Sequence, residues 1–218
     1  MTLPSPLYVI LDPEAAGPRD LGSLLEAVLA GGCRLVQLRD KRTPLAELYA
    51  VARALSDRCR QAGALFIVND RADLALAVGA GGLHVGQDDL PAAAARRILP
   101  AGMVLGVSTH DTEQARRALA DGADYIAVGS IFPTGTKTGF QLVGTDLVRK
   151  LRPEIPVPLV GIGGITADNA PDVVSAGADA VAVISAVCGA PDPEAATRRL
   201  IERLDARRGD VTHSREAR

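Results

Sequence analysis

The chain has 218 residues, 47% of them apolar and 23% charged, close to the averages of soluble globular proteins, which excludes disorder as its main state. At this length roughly 70% of the unfolded surface can be buried, and one domain is the expectation. A net charge of −2, from 24 basic and 26 acidic side chains, offers no global attraction to nucleic acid or an anionic membrane, so any anion must be captured locally.

No apolar run approaches the ~20 residues that span a bilayer. The opening Met1-Thr-Leu-Pro-Ser-Pro has neither a basic flank nor an apolar core, so no secretory signal and a cytoplasmic location are expected. Cys33, Cys59 and Cys188 are odd in number and scattered, with no C-x-x-C; they read as small buried apolar residues rather than a disulfide framework or a zinc site. Only Lys41, Lys137 and Lys150 stand beside 21 arginines, which draws attention to any lysine near a strand end.

In chain order, β-like segments are expected at Tyr8–Asp12, Leu35–Arg39, Leu65–Asn69, Gly82–Gly86, Val104–Ser108, Tyr125–Gly129, Leu159–Gly163 and Ala180–Ile184. Between them, stretches such as Leu45 to Cys59, Gln114 to Leu119 and Thr197 to Leu204 repeat apolar residues every three or four positions, as helices covering a sheet must. Pro44, Pro91 and Pro171 suit first helical turns, with Thr43, Asp89 and Asn169 or Ala170 just before them. Gly122-Ala123 and Gly177-Ala178 suit helix C-termini. Strict β–α alternation with mostly apolar strands predicts a parallel sheet under helices, and eight strands favour a closed (β/α)8 TIM barrel over an open doubly wound sheet. The barrel is placed at residues 1–207 and a polar, frayed tail at 208–218.

Such barrels carry their chemistry at the C-terminal ends of the strands. After the second strand, Gln37, Arg39 and Lys41 alternate with Leu38 and Asp40, so they are expected to point together into the barrel mouth. The guanidinium offers a fork of donors for phosphate and the ammonium a mobile point charge. A charged turn with a local ion pair is the other reading. Asn69-Asp70 and Gln87-Asp88-Asp89 follow the third and fourth strands. Each suits a helix cap, yet an Asp from each of two adjacent loops beside two cations is also a typical setting for Mg²⁺. Ser108-Thr109-His110 brings hydroxyls and an imidazole that reads either as a titrating base or as a cap, while His84, inside a strand, reads as a satisfied core histidine.

The sixth connection, Gly129 to Phe140, supplies hydroxyl, amide and ammonium donors through Thr134, Thr136 and Lys137, and reads either as a disordered surface loop or as a loop folding over a phosphorylated ligand, which the scarce Lys137 favours. The seventh strand ends in Gly161-Ile-Gly163-Gly164 and the eighth in Ile184-Ser185. Exposed glycine amides followed by a helix N-terminus form the recurrent phosphate position of these barrels. The pattern therefore implies two anion sites, one basic and metal-assisted near strands two to four, the other amide-rich near strands seven and eight.

Taken together, Gln37-Leu-Arg-Asp-Lys41, Val68-Asn-Asp70, His84-Val-Gly-Gln-Asp-Asp89, Gly106-Val-Ser108, Pro133-Thr-Gly-Thr-Lys137, Gly161-Ile-Gly-Gly-Ile165 and Ile184-Ser185 resemble, in order, the thiamine-phosphate synthase family, over about residues 7 to 205. The resemblance implies that Gln37, Arg39, Lys41, Asn69, Ser108 and Lys137 hold a hydroxymethylpyrimidine diphosphate, with Arg39, Lys41, Ser108 and Lys137 in catalytic roles. It implies Asp70 and Asp89 as Mg²⁺ ligands, Asp89 rather than Asp88 because the second of that acidic pair carries the family's ligand. Thr134, Thr136, Gly164, Ile184 and Ser185 are implied for the thiazole phosphate. The partners are then small molecules, neither nucleic acid nor membrane, with no signal for or against a homo-oligomer. Two rival readings share the ligands: an enzyme similar to thiazole tautomerases, with His110 moving a proton, and a noncatalytic sensor of thiamine-pathway phosphates. Retention of Arg39, Lys41, Asp70 and Asp89 disfavours the tautomerase, which has no diphosphate to expel.

Overall fold

Short Val-, Ile- and Leu-rich runs buried on both faces pair as parallel strands once helices cover them. The computed structural model describes residues 1–134 and 142–216, with side chains as far as 206. Its strands are β1 (Leu7–Leu11), β2 (Leu35–Leu38), β3 (Leu65–Asn69), β4 (Gly82–Val85), β5 (Val104–Thr109), β6 (Tyr125–Val128), β7 (Leu159–Ile162) and β8 (Ala180–Val183). They close into one parallel barrel in chain order, with β1 pairing both β2 and β8. The TIM barrel expected from the β–α alternation is therefore the fold.

The helices are α1 (Pro13–Ala16), α2 (Leu21–Ala30), α3 (Leu45–Gln61), α4 (Ala72–Ala77), α5 (Ala92–Ile98), α6 (Thr112–Ala120), α7 (Gly144–Leu151), α8 (Ala170–Ser175), α9 (Ser185–Cys188) and α10 (Pro193–Glu216). None among the described residues is long and apolar enough to cross a membrane. Helix α10 runs as far as Glu216, into the stretch expected as a tail. Asp20 and Asp111 cap α2 and α6 by accepting from Ser23 N and Gln114 N, which satisfies free amides of each first turn.

Side-chain alternation divides the interior in two. Leu7, Val9, Leu11, Val36, Leu83, Leu105 and Ile126 face outward and pack with the helices. Tyr8, Ile10, Leu35, Ile67, Tyr125, Ala127, Val160 and Ala182 fill the barrel itself. The three cysteines are free thiols and all buried. Burial pushes the thiol of Cys59 up to about 12 and that of Cys188 up to about 11, so they remain protonated packing groups. Asp12, Arg39, Gly86, Gly129, Gly163 and Ile184, expected as the last residues of their strands, lie just past the observed ends and form the rim.

Candidate active site

The rim over β2, β3 and β4 is built from charges that pair across loops. Asp40 accepts from the amides of Arg42 and Thr43, both at 2.9 Å, and this tight turn sets Lys41 and Arg42 on the rim. The reading of the segment as a charged turn is thus half right: the turn is local, but the ion pairs are not. Arg39 Nη1 donates to Asp12 Oδ2, and Arg42 pairs with Glu14. Lys41 Nζ lies 3.1 Å from Asp70 Oδ2.

Asp12 was expected only as a strand end. Its carboxylate, 4% exposed, holds Arg39 with Oδ2 while Oδ1 accepts from the amides of Glu14 and Ala15 at the start of α1. The signal was present: Asp12-Pro13 is an N-cap followed by proline in the first turn, but four helical residues are too few to show periodicity.

Helix capping does not account for Asp70 and Asp89. Neither α4, preceded by Arg71, nor α5, preceded by Pro91, has a side-chain cap. Asp70 instead adopts φ 61°, in the left-handed region, with its amide bonded to His84 O at 2.8 Å, and its carboxyl meets that of Asp89. Asp89 Oδ2 accepts from Gly86 N at 2.7 Å. Burial and the neighbouring Asp89 push the Asp70 carboxyl above the usual range, against the pull of Lys41. Burial raises Asp89 too, but hydrogen bonds from Asp70 and Gly86 outweigh it and hold Asp89 low. Contact between the two carboxyls thus makes Asp70 the harder of the pair to ionise and Asp89 the easier.

That arrangement fits a divalent cation. Two partly buried carboxylates in contact, one of them hard to ionise beside the other, form a site that a cation stabilises by offsetting their mutual repulsion. Among the described residues no group of three or more His, Cys, Asp and Glu side chains forms a complete cage. The donor set itself, two carboxylates, is of the kind Mg²⁺ takes, since that ion completes its shell with waters and substrate phosphate oxygens. Asn69, in register with His84 across β3 and β4, ends its strand beside this pair.

Over β5 to β8 the rim opens into a cavity of about 350 Å³, in the range of small-ligand sites. Ser108, Thr134, Gly164, Ile184 and Ser185, singled out from sequence, all line it. Gly164 has φ +62°, and a Cβ there would sit 2.3 Å from the carbonyl oxygen of Pro133, so only glycine lets the two loops touch. Asn169, not anticipated as a site residue, fastens this loop: its Oδ1 accepts from Thr166 N at 2.8 Å and its Nδ2 donates to Gly164 O at 3.0 Å. Its place one turn after the glycines was the available clue.

His110 and Ser130 also line the cavity. His110 Nδ1 lies 2.5 Å from Gly129 O, a bond that orients the ring against the wall; α6 is capped by Asp111 instead. Gln87, given no role of its own in the sequence, donates to Ser108 O at 2.6 Å and ties the β4 loop to the cavity. Gln37 points inward as its alternation predicted, but it is 2% exposed and its Nε2 donates to Tyr8 OH at 2.5 Å. Thr136 and Lys137 lie outside the described residues.

Comparisons with known proteins identify the family of the chain. The profile of the family described as thiamine monophosphate synthase matches residues 7–187. The chain belongs to the thiamine monophosphate synthase family. It is 50% identical over 204 residues to the thiamine-phosphate synthase of Moorella thermoacetica, covering 93% of this chain and 97% of that one. Against the thiamine-phosphate synthase of Methanospirillum hungatei the identity is 47% over 197 residues, covering 90% and 96%. Among solved structures, the thiamine phosphate pyrophosphorylase of Pyrococcus furiosus superposes with a TM-score of 0.85 at 38% identity, covering 92% of this chain and 96% of that one. The family resemblance read from the short motifs is thereby established for nearly the whole barrel.

Proposed function

We propose that the chain, a thiamine-phosphate synthase by family, joins 4-amino-2-methyl-5-hydroxymethylpyrimidine diphosphate to a thiazole phosphate, releasing diphosphate. The observation that carries the assignment of substrates to sites is the contrast at the rim. Lys41, Asp70 and Asp89 meet over β2 to β4, while the phosphate-type cavity opens over β5 to β8.

The bond from the pyrimidine's methylene carbon to the diphosphate oxygen breaks, and its electron pair leaves with the diphosphate. Charge builds on the departing oxygens, where Arg39, Lys41 and Lys137 neutralise it. Asp70 and Asp89 would hold Mg²⁺, which would supply further positive charge to the leaving diphosphate. The cation left on the methylene carbon is stabilised by the electron-rich aminopyrimidine ring. The thiazole nitrogen then forms the new C–N bond, its phosphate held by Thr134, Thr136, Gly164, Ile184 and Ser185 so that it lies near the carbon. No protein nucleophile takes part.

Purified protein mixed with the pyrimidine diphosphate, the thiazole phosphate and Mg²⁺ should yield the coupled product and inorganic diphosphate in equal amounts. Absence of both overturns the reading. Omitting Mg²⁺ should abolish turnover, whereas a tautomerase would continue without it, and a sensor would bind both ligands with no product at all.

A further inference from the structure

Inside the barrel an unbroken line of hydrogen bonds runs from β2 to the cavity. Gln37 Nε2 meets Tyr8 OH at 2.5 Å, and Tyr8 OH meets Tyr125 OH at 2.9 Å. His84 Nδ1 lies 2.8 Å from Tyr125 OH, and His84 Nε2 lies 2.8 Å from Ser108 Oγ, which lines the cavity. These groups come together because of register. Across three neighbouring strands His84 pairs with Gly106 and Gly106 with Tyr125. The glycine between them leaves a gap in which the two rings stack, centroids 5.6 Å apart at 27°. A Cβ on Gly106 would stand 2.0 Å from Tyr125 Cζ, so the slot exists only for glycine.

The line also has a direction. An amide nitrogen only donates, so Tyr8 oxygen accepts from Gln37. Burial pushes both phenols far above their ordinary range, so each remains a neutral O–H. Tyr8 is enclosed, with Gln37 and Tyr125 as its side-chain hydrogen-bond partners, so its proton goes to Tyr125. The Tyr125 proton then goes to His84 Nδ1. With Nδ1 accepting, the His84 ring has its proton on Nε2 and donates it to Ser108 Oγ. Ser108 consequently keeps its own hydroxyl proton for an acceptor in the cavity.

We propose that Tyr8, Tyr125 and His84 are positioning residues whose directed hydrogen-bond line presents the Ser108 hydroxyl as a donor to an acceptor atom of the pyrimidine substrate. The proposal rests on the function above, and it adds the polarity of Ser108 and the residues that set it. A merely structural network would hold the barrel together without favouring one substrate over the other.

Two measurements on the full chain test it. With ¹⁵N-labelled histidine, and His84 assigned by loss of its signal in His84→Gln, long-range proton–nitrogen NMR without substrate should find His84 neutral with the proton on Nε2. A proton on Nδ1 reverses the line and overturns the proposal. Tyr125→Phe keeps the ring and breaks the line. It should raise KM for the pyrimidine diphosphate about tenfold, as loss of one oriented hydrogen bond does, while KM for the thiazole phosphate stays within about twofold. An unchanged pyrimidine KM, or equal rises for both substrates, overturns it. Should Tyr125→Phe fail to melt cooperatively, Tyr8→Phe breaks the same line one link away and is read by the same criteria. A wild-type protein that makes no coupled product defeats the proposed activity alone, because the tautomer is measured with no substrate present.

Discussion

The two halves of the rim handle charge in opposite ways. Over β2 to β4, Arg39, Lys41, Asp12, Asp70 and Asp89 already neutralise one another. Over β5 to β8, the described residues lining the cavity include no Lys, Arg, Asp or Glu, and the polar groups are hydroxyls, amides and His110. A ligand entering the first half must exchange existing ion pairs for new ones, and one entering the second half does not. That difference matches the chemistry proposed: the departing diphosphate needs mobile charge that can follow developing negative charge, whereas a phosphate that only anchors its substrate needs fixed donors.

The largest test of this division is Asp70→Ala. It should lower kcat by about 100-fold or more while thermal melting shows a folded barrel, since the lost carboxyl is one that the fold makes costly to ionise. Near-normal turnover would separate the acidic pair from the chemistry. Asp12→Ala comes next. It leaves Arg39 without its carboxylate and uncaps α1, and denaturant titration should find the barrel less stable by about 2 kcal/mol. KM for the pyrimidine diphosphate should rise with it and KM for the thiazole phosphate should not; a shift of both would mean that the two halves are one site energetically.

Gly164→Ala addresses the other half. The left-handed backbone and the 2.3 Å approach to Pro133 O force the loop to move, which at about 1–3 kcal/mol of strain predicts a thiazole-phosphate KM raised at least tenfold, with the pyrimidine KM little altered. Kinetics in which both constants rise together would argue against separate subsites. The mildest effect near neutral pH concerns the metal. Burial and Asp89 keep a proton on Asp70 above the ordinary carboxylate range, and a divalent cation must displace it. Mg²⁺ affinity should therefore be flat at higher pH and weaken, by up to about tenfold per pH unit, below that raised value. Calorimetry at pH 8 and pH 5 reads the slope, and tighter binding in acid would contradict an Asp70 carboxyl that is hard to ionise.

Much of this was legible in the chain itself because β-strand alternation is a strong rule. Gln37, Arg39 and Lys41 share parity with Leu35, which fills the barrel, and the cavity residues were placed by the glycines after the seventh strand. What was not legible depended on register and on single backbone angles. That His84 and Tyr125 stack needs Gly106 to fall between them across three strands, and no local pattern states that alignment. His84 was correctly read as a buried, satisfied ring, but its partners were out of reach. Asp70 reaches Asp89 only because its φ is 61°, a conformation that aspartate tolerates better than most residues but does not announce. Asp12 was the opposite case: its cap signal was there, and the strand before it obscured it.

The enclosed cysteines have a practical outcome. Cys33, Cys59 and Cys188 are the chain's whole complement of sulfhydryls, each shut inside. The native fold offers alkylating reagents nothing to attack, so one cysteine engineered at the exposed position of Asp146 would accept a fluorophore at a defined place. The native three would then report opening of the barrel, each becoming labelled only when its own layer parts.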